Sequence, residues 1–550
     1  MEKRTLIAIV LTALIWLGWF IIFKPEQEVK KQPEAQATKE AESKEKPRVD
    51  KAGPEAAVKI ARVAGAKETE LKILTDIYDI TLSSKGGSIK SMVYRERNIQ
   101  LVVNKNGSKT RPEFDFPVSF NEDDFMKGNG LEDAVWTMAQ TGPLTVKFST
   151  RVNVDAIPVE LSKIYEFNKK GHDIRLSYVF RNLGNREIPL GRKPVIISPA
   201  DMLGPELDYT NTYNRLTSIF SLDGSYKQSE KGEGFFSKYG PIKREAGKIE
   251  WSGIMSRYFL IIMIPQGFTG TEAIHDNREG TGLRTGMKVE IGLLKPNQEV
   301  KKPFRVYIGE KNKDMLAAVD KSIVDASDVS KWIEPIRFVL MWCLLHINKL
   351  IGNLGWSLVI FSLITKIIFM PLTMKSNESM KKMQQLTPKL NAIKEKYKDK
   401  PEVLQREMMK VYKENKVNPM GGCFPMLLQM PFFFALYSAL INSIDLWNAP
   451  FIFWMKDLSM PDTVARMFGY NLNILPLLMT ATTFLQQKLS TVDTGTQQQK
   501  MMLYTMPLVF IFIFWNMPSG LVLYWALQNV FQIMHQLYIN KRAKQKEATS

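Results

Sequence analysis

The sequence predicts a membrane protein of six transmembrane helices carrying one large all-β domain outside the cytoplasm. Three observations predict it. Apolar runs gather at the N-terminus and after Trp332, the polar stretch between them alternates with period two, and Lys and Arg concentrate beside the apolar runs. At 550 residues the chain exceeds a single core. Basic residues next to apolar runs follow the positive-inside rule and attract anionic lipid, so they account for the net charge of +18. No basic–aromatic motif accompanies them, which excludes DNA and leaves ribosomal RNA as the one nucleic acid to consider.

Thr5 to Phe23 is apolar, follows Lys3 and Arg4, and ends without a small-residue cleavage site, so residues 1–23 read as an uncleaved anchor with a cytoplasmic N-terminus. Residues 24–65, rich in Lys, Glu, Ala, Gln and Pro, read as a disordered linker. Residues 66–330 hold the β domain, with alternation in Ile73 to Ser84, Pro143 to Val152 and Asp173 to Asn182; the β texture runs to about Gly309. One span precedes this domain, which puts it outside.

Glu334, Arg337, His346 and Lys349 interrupt the apolar run at residues 331–351, which suits an interfacial amphipathic helix better than a span. Charge provides the check: Lys375 to Lys416 carries 12 Lys/Arg against 6 Asp/Glu and belongs inside. It follows that residues 355–541 form a five-span core, with spans at about 355–374, 421–441, 471–487, 501–516 and 520–538. A cytoplasmic helical hairpin at 375–418 interrupts them and a basic tail at 542–550 follows, leaving both termini inside. The hairpin breaks at Lys398 to Pro401. One arm presents Met380, Met383, Leu386, Leu390, Ile393 and Tyr397, the other Val403, Met408, Met409 and Tyr412; such faces pack on each other or on varied partners.

Lys366 lies in the run Trp356 to Thr373, and no other expected span contains Asp or Glu to pair with it. A lysine near mid-span costs roughly 2.5–3.5 kcal/mol. With the exit marked by Lys375, it lies about 13 Å deep, far for a snorkelling stem. Ser362 and Thr365 accompany it, Gln528, Gln532, His535 and Gln536 share one side of the last span, and Gln429 lies between Pro425 and Pro431. These groups line a wet cavity or act as interhelical glue. Cys343 and Cys423 lie near opposite faces, and His172, His275, His346 and His535 are scattered, so no disulfide, metal or cofactor is expected. No nucleotide loop or nucleophile elbow occurs, and no enzyme is expected.

The stretch Asn418-Pro-Met-Gly-Gly-Cys-Phe-Pro-Met-Leu-Leu-Gln-Met-Pro431, with Pro518-Ser-Gly-Leu-Val-Leu-Tyr-Trp525, resembles the YidC family of bacterial membrane protein insertases, in its Gram-negative form. The likeness runs the length of the chain. It implies a periplasmic β-supersandwich in the inner membrane's outer compartment, and a hydrophilic groove open to cytoplasm and lipid. Nascent membrane proteins would enter the groove, the ribosome would dock on the hairpin and basic tail, and the Sec translocon would be a partner. Lys366 stands where the family usually has arginine, and Trp525 where it often has a second tyrosine after Tyr524. The resemblance makes Lys366, Ser362, Thr365, Gln429, Gln528, Gln532, Tyr524 and Trp525 the candidate groove, with Pro425, Pro431, Pro518 and Gly520 as structural turns. Two alternatives remain at this level: a secondary transporter gated at Lys366, and a carbohydrate-active β domain on a membrane anchor.

Overall fold

The structure is a computed structural model that describes residues 59–60, 67–103, 113–128, 130–190, 195–205, 216–229, 242–276, 284–327, 333–398, 400–415, 417, 424–467, 470–490 and 497–549. The expected anchor and basic-tail residue 550 lie outside these, as does the linker except for Lys59–Ile60. The chain divides into two units, Met1–Ser330 and Lys331–Ser550.

In the first unit, alternation becomes antiparallel sheet. Asp173–Asn182 is a strand over the expected bounds. Ile73 to Ser84 is not one stretch: it contributes to two strands, Glu70–Leu74 and Tyr78–Ser83. Thr75 turns the chain between them, its hydroxyl accepting from the amides of Ile77 (3.3 Å) and Tyr78 (2.8 Å). Strands Thr145–Val154, Ile157–Phe167 and Asp173–Asn182 follow one another as hairpins. Glu299–Glu310 then returns from far along the chain to lie between Asp173–Asn182 and Phe259–Pro265. The result is a 14-stranded sheet beside a four-stranded one. Every residue of Phe259–Pro265 is buried, as a strand covered on both faces should be.

Two expectations need correction here. The unit is β-rich but not all β, because helices α1 (Glu122–Lys127) and α2 (Lys313–Val319) and a 3-10 segment (Lys321–Ser327) belong to it. Asn121 and Asn312 start the two helices by accepting from backbone amides. Leu316, Val319, Ile323 and Ala326 then bury against Trp251, Leu260 and Ile262, closing the sheet past Gly309. The linker also contributes structure: Lys59 and Ile60 pair with Asn153 and Val152.

The second unit is helical. In chain order it contains α3 (Glu334–Ile351), α4 (Leu354–Lys396), α5 (Pro401–Glu414), α6 (Phe424–Ile441), α7 (Ile474–Ser490), α8 (Gln497–Phe514) and α9 (Ser519–Thr549). Gly352, at φ 73°, ends α3 in the left-handed conformation, and Asn353 caps α4 by accepting from Trp356 N. Leu340 and Leu344 turn one face of α3 into the core, while Phe338, Val339, Trp342 and Leu350 stay exposed.

The span and the first hairpin arm, expected as separate elements meeting at about 374, are one helix of 43 residues. Nothing between Met374 and Met383 stops it, since that stretch contains neither Gly nor Pro. The arms pack through Leu386, Leu390 and Val417 with Met383, Met408, Val411 and Tyr412. Met409, expected on the packed face, is exposed. Pro431 is not a turn either: α6 runs straight through it, and Pro425 lies in its first turn, where a missing amide costs little. Among the described residues, Leu354–Ser376 is the one helical segment long and apolar enough to cross a bilayer alone, and Met430–Ile441 and Tyr504–Phe514 are shorter apolar segments.

Candidate functional site

Helices α4 and α9 bring most of the sequence-predicted residues together. Ser362, Thr365 and Lys366 occupy one side of α4, and Gln528 and Gln532, one turn apart, face them from α9. Gln528 Nε2 donates to the carbonyl of Ser362 (2.8 Å) and to Thr365 Oγ1 (3.0 Å). One turn further on, Lys366 Nζ donates to Gln532 Oε1 at 2.6 Å. The result is a polar ladder across a helix–helix contact.

Its rungs differ in character. Ser362 is fully buried and its hydroxyl donates to Leu358 O on its own helix; Thr365 donates likewise to Ser362 O. These residues and Gln528 satisfy one another, which is what interhelical glue does. Lys366 is half-buried, and an ammonium has three donors, of which Gln532 takes one. Gln532 is neutral, so its carbonyl offers a dipole where an ammonium at this depth would gain most from a charge. Helices α6, α7 and α8 contain no Asp or Glu. Nδ1 of His535, one turn beyond Gln532, is buried with no hydrogen-bond partner among the described residues.

The aromatic candidates lie elsewhere on α9. Tyr524 is 1% exposed, its ring among those of Phe361 (6.3 Å) and Phe432 (6.2 Å). Trp525 meets Phe433 edge-on at 5.3 Å and also contacts Phe510 and Phe514. Both rings belong to the packed core of this unit, an arrangement of about 0.5–1.5 kcal/mol per aromatic pair beyond area burial. Tyr524, so enclosed, offers no open surface to an incoming segment, contrary to the sequence expectation, while Trp525 is only half-buried. Gln429 belongs to α6, and its side chain lies outside the described residues.

Sequence reasoning missed a second polar seam on the other flank of α9. Asn529 Nδ2 donates to Thr483 Oγ1 on α7 at 2.8 Å, with Thr482 Oγ1 and Met479 O within 3.5 Å. Asn529 sits about 100° around the helix from Gln528, off the stripe that the glutamines define. An asparagine off the glutamine stripe, between Gln528 and Val530, was the available signal.

Two family models match the chain. The one described as the 60Kd inner membrane protein matches residues 346–547, and the YidC periplasmic domain matches residues 70–343. The membrane protein insertase YidC of Pelobacter propionicus is 34% identical over 559 residues, covering 98% of this chain and 99% of its own. This chain belongs to the YidC family. The membrane protein insertase YidC of Geobacter metallireducens is 32% identical, with both chains covered completely. Among solved structures, an active YidC insertase with its first transmembrane domain resolved covers 88% of this chain and 95% of its own, at 19% identity and a TM-score of 0.36. A YidC-family chain combines a β-rich periplasmic domain with a helical insertase core; here the periplasmic-domain model covers the β unit from residue 70 and runs on into α3 to residue 343, and the 60Kd model falls within the helical unit. The transporter alternative finds no support among these relatives.

Proposed function

We propose that this chain inserts nascent membrane proteins into the inner membrane by receiving a short polar segment of the substrate at the ladder between α4 and α9. The observation that carries the reading is Lys366: a cation inside an apolar helix whose partner is the neutral Gln532. Among the described residues Gln532 is its one hydrogen-bond partner, so its other donors can meet acidic groups of an incoming segment and the substrate supplies the counter-charge while it passes. The ladder lowers the cost of moving polar groups into the bilayer, and transfer of the substrate's apolar helix into lipid provides the driving force. A lysine presents a point charge without a planar fork, which suits attraction of varied acidic segments better than one fixed carboxylate geometry.

The finer architecture belongs to the same proposal. Six spans, including the N-terminal anchor, place both termini and the hairpin in the cytoplasm and the β unit in the periplasm, in agreement with the charge of Lys375 to Lys416. The basic hairpin and tail then face the ribosome, and the Sec translocon is a lateral partner. Within the groove the contact residues are Lys366, Gln532 and Gln528, with Gln429 on α6 as a further wall; Tyr524 and Trp525 support the wall from behind. Photocrosslinkers at 366, 532 and 525, challenged with stalled ribosome-bound chains, test this. Adducts at 366 and 532 with little at 525 support it; equal labelling at 525, or none at 366, refutes it.

A further inference from the structure

Residues 451–455 form a tight turn at the end of the helical unit away from the hairpin. Phe451 N donates to Met455 O (2.9 Å) and Met455 N to Ile452 O (3.1 Å), so 452–455 is a four-residue turn with Phe453 second. The φ of Phe453 is 55°, in the left-handed region. A turn with positive φ at that place ordinarily takes Gly, Asn or Asp, and a bulky ring there is an outlier. Packing within the fold does not account for it. Phe451, Ile452, Trp454 and Met455 pack in the core of this unit, whereas Phe453 is 85% exposed. The ring is nonetheless held. It stacks on Trp454 at 5.9 Å, and Trp454 Nε1 donates to buried Asp462 at 2.9 Å.

The apolar segment of α4, Leu354–Ser376, begins at this end, and half-exposed Trp356 stands in its first turn, where an interfacial tryptophan belongs. Phe451 meets Trp356 edge-on at 5.3 Å and its ring covers Gly355, so the turn lies level with the start of that segment. Helices α6, α7 and α8 contain 18, 17 and 18 residues, about 25–27 Å at 1.5 Å per residue, against roughly 30 Å of hydrocarbon. Helices this short leave their connections at the edge of the bilayer and not beyond it. An exposed ring at that level meets lipid.

We propose that Phe453 is a membrane-surface anchor whose ring enters the headgroup–acyl boundary of the leaflet at this end, at the level of Trp356. A lipid surface accounts for both peculiarities of the residue. Transfer of the ring out of water offsets the strained turn. The stack on Trp454, itself fixed by Asp462, presents the ring already ordered, so insertion costs little side-chain freedom. The inference goes beyond the insertase reading: it needs the helical unit to lie in a bilayer and nothing of the route that substrates take.

The test uses full-length protein in proteoliposomes of phosphatidylethanolamine and phosphatidylglycerol, with Cys343→Ser and Cys423→Ser as background and a nitroxide on single cysteines. Leu508→Cys, exposed in the apolar segment of α8, gives the lipid reference, and Lys382→Cys, exposed on the hairpin, the water reference. At Phe453→Cys we expect collisions with oxygen to exceed those with a water-soluble nickel complex several-fold, as at Leu508 and unlike Lys382. A water-like ratio overturns the anchor; so does a label shielded from both reagents, which would mean that protein covers the ring. A second measurement reads the native ring, with the label on exposed Lys456→Cys. There Phe453→Asn, which suits the positive φ, should raise nickel accessibility about twofold or more as the loop lifts from the surface. Unchanged accessibility at 456 removes Phe453 from the role.

Discussion

Lys366 and Gln532 are joined across α4 and α9 by a 2.6 Å hydrogen bond in which the ammonium donates to a neutral carbonyl oxygen. A charged group so placed is held in position without being neutralised. Its burial is a cost to the fold and its field is available to a substrate.

Lys366→Met should therefore separate function from stability. The melting temperature of the purified protein should stay level or rise, because a buried charge has been removed. Insertion of a single-span substrate with an acidic translocated segment should fall roughly tenfold, equivalent to about 1.4 kcal/mol. A neutral-segment substrate should change little, and Lys366→Arg should restore the acidic one. Equal losses for both substrates would contradict the charge argument.

Gln528→Leu should show the opposite pattern. It removes the bonds to Ser362 O and Thr365 Oγ1, at an average of about 0.6 kcal/mol and at most about 1.7 for side-chain pairs within membranes. Thermal stability in detergent should drop by about that amount. The ratio of acidic to neutral substrate inserted should remain that of the parent; a changed ratio would make Gln528 a selectivity residue.

The hairpin allows packing to be told apart from partner contact. Leu390 is buried between the arms, whereas Met409 is 45% exposed. Leu390→Ala should loosen the arms by about 2 kcal/mol or more and speed amide exchange across 401–414. Met409→Ser should leave exchange unchanged. If Met409 touches ribosome-bound chains, crosslinks from position 409 will appear on addition of ribosomes; their absence would assign the methionine to solvent.

In the β unit, His275 is completely buried, with Nδ1 against Ser218 Oγ (2.6 Å) and Thr285 Oγ1 (2.9 Å). Burial, helped by the charge of Lys243, pushes its pKa down to about 3. The folded unit therefore keeps this imidazole neutral, while the unfolded chain protonates it near the usual value of about 6.5. Stability from this residue is fully present above about pH 6.5 and is lost as pH falls towards 3. Urea unfolding of residues 67–327 should lose at most about 1.4 kcal/mol per pH unit across that window from this one proton. His275→Gln should flatten that slope by the same amount; an unchanged slope would mean that other groups carry it.

The boundary between what was legible and what was not follows the range of the interactions. Residue order by itself determined the β-rich middle, the helical remainder, the anomaly of Lys366 and the glutamine stripe on α9. Those rest on period two, period 3.6 and the cost of a charge in an apolar run, all readable within a window of a dozen residues. It also placed the hairpin, because Pro401 and the charged residues before it break a helix locally.

Only the tertiary structure decided who meets whom. The partner of Lys366 lies 166 residues away, and the strand beside Asp173–Asn182 comes from Glu299–Glu310. Trp525 carries the same aromatic surface whether it faces a groove or, as here, Phe433 and Phe514; no local pattern distinguishes the two. In the sequence Asp462 is one acidic residue between two apolar runs; it is a buried acceptor only because α7 begins against it. Such contacts depend on chain closure over long separations, which the packing of whole helices and sheets selects and local periodicity does not record.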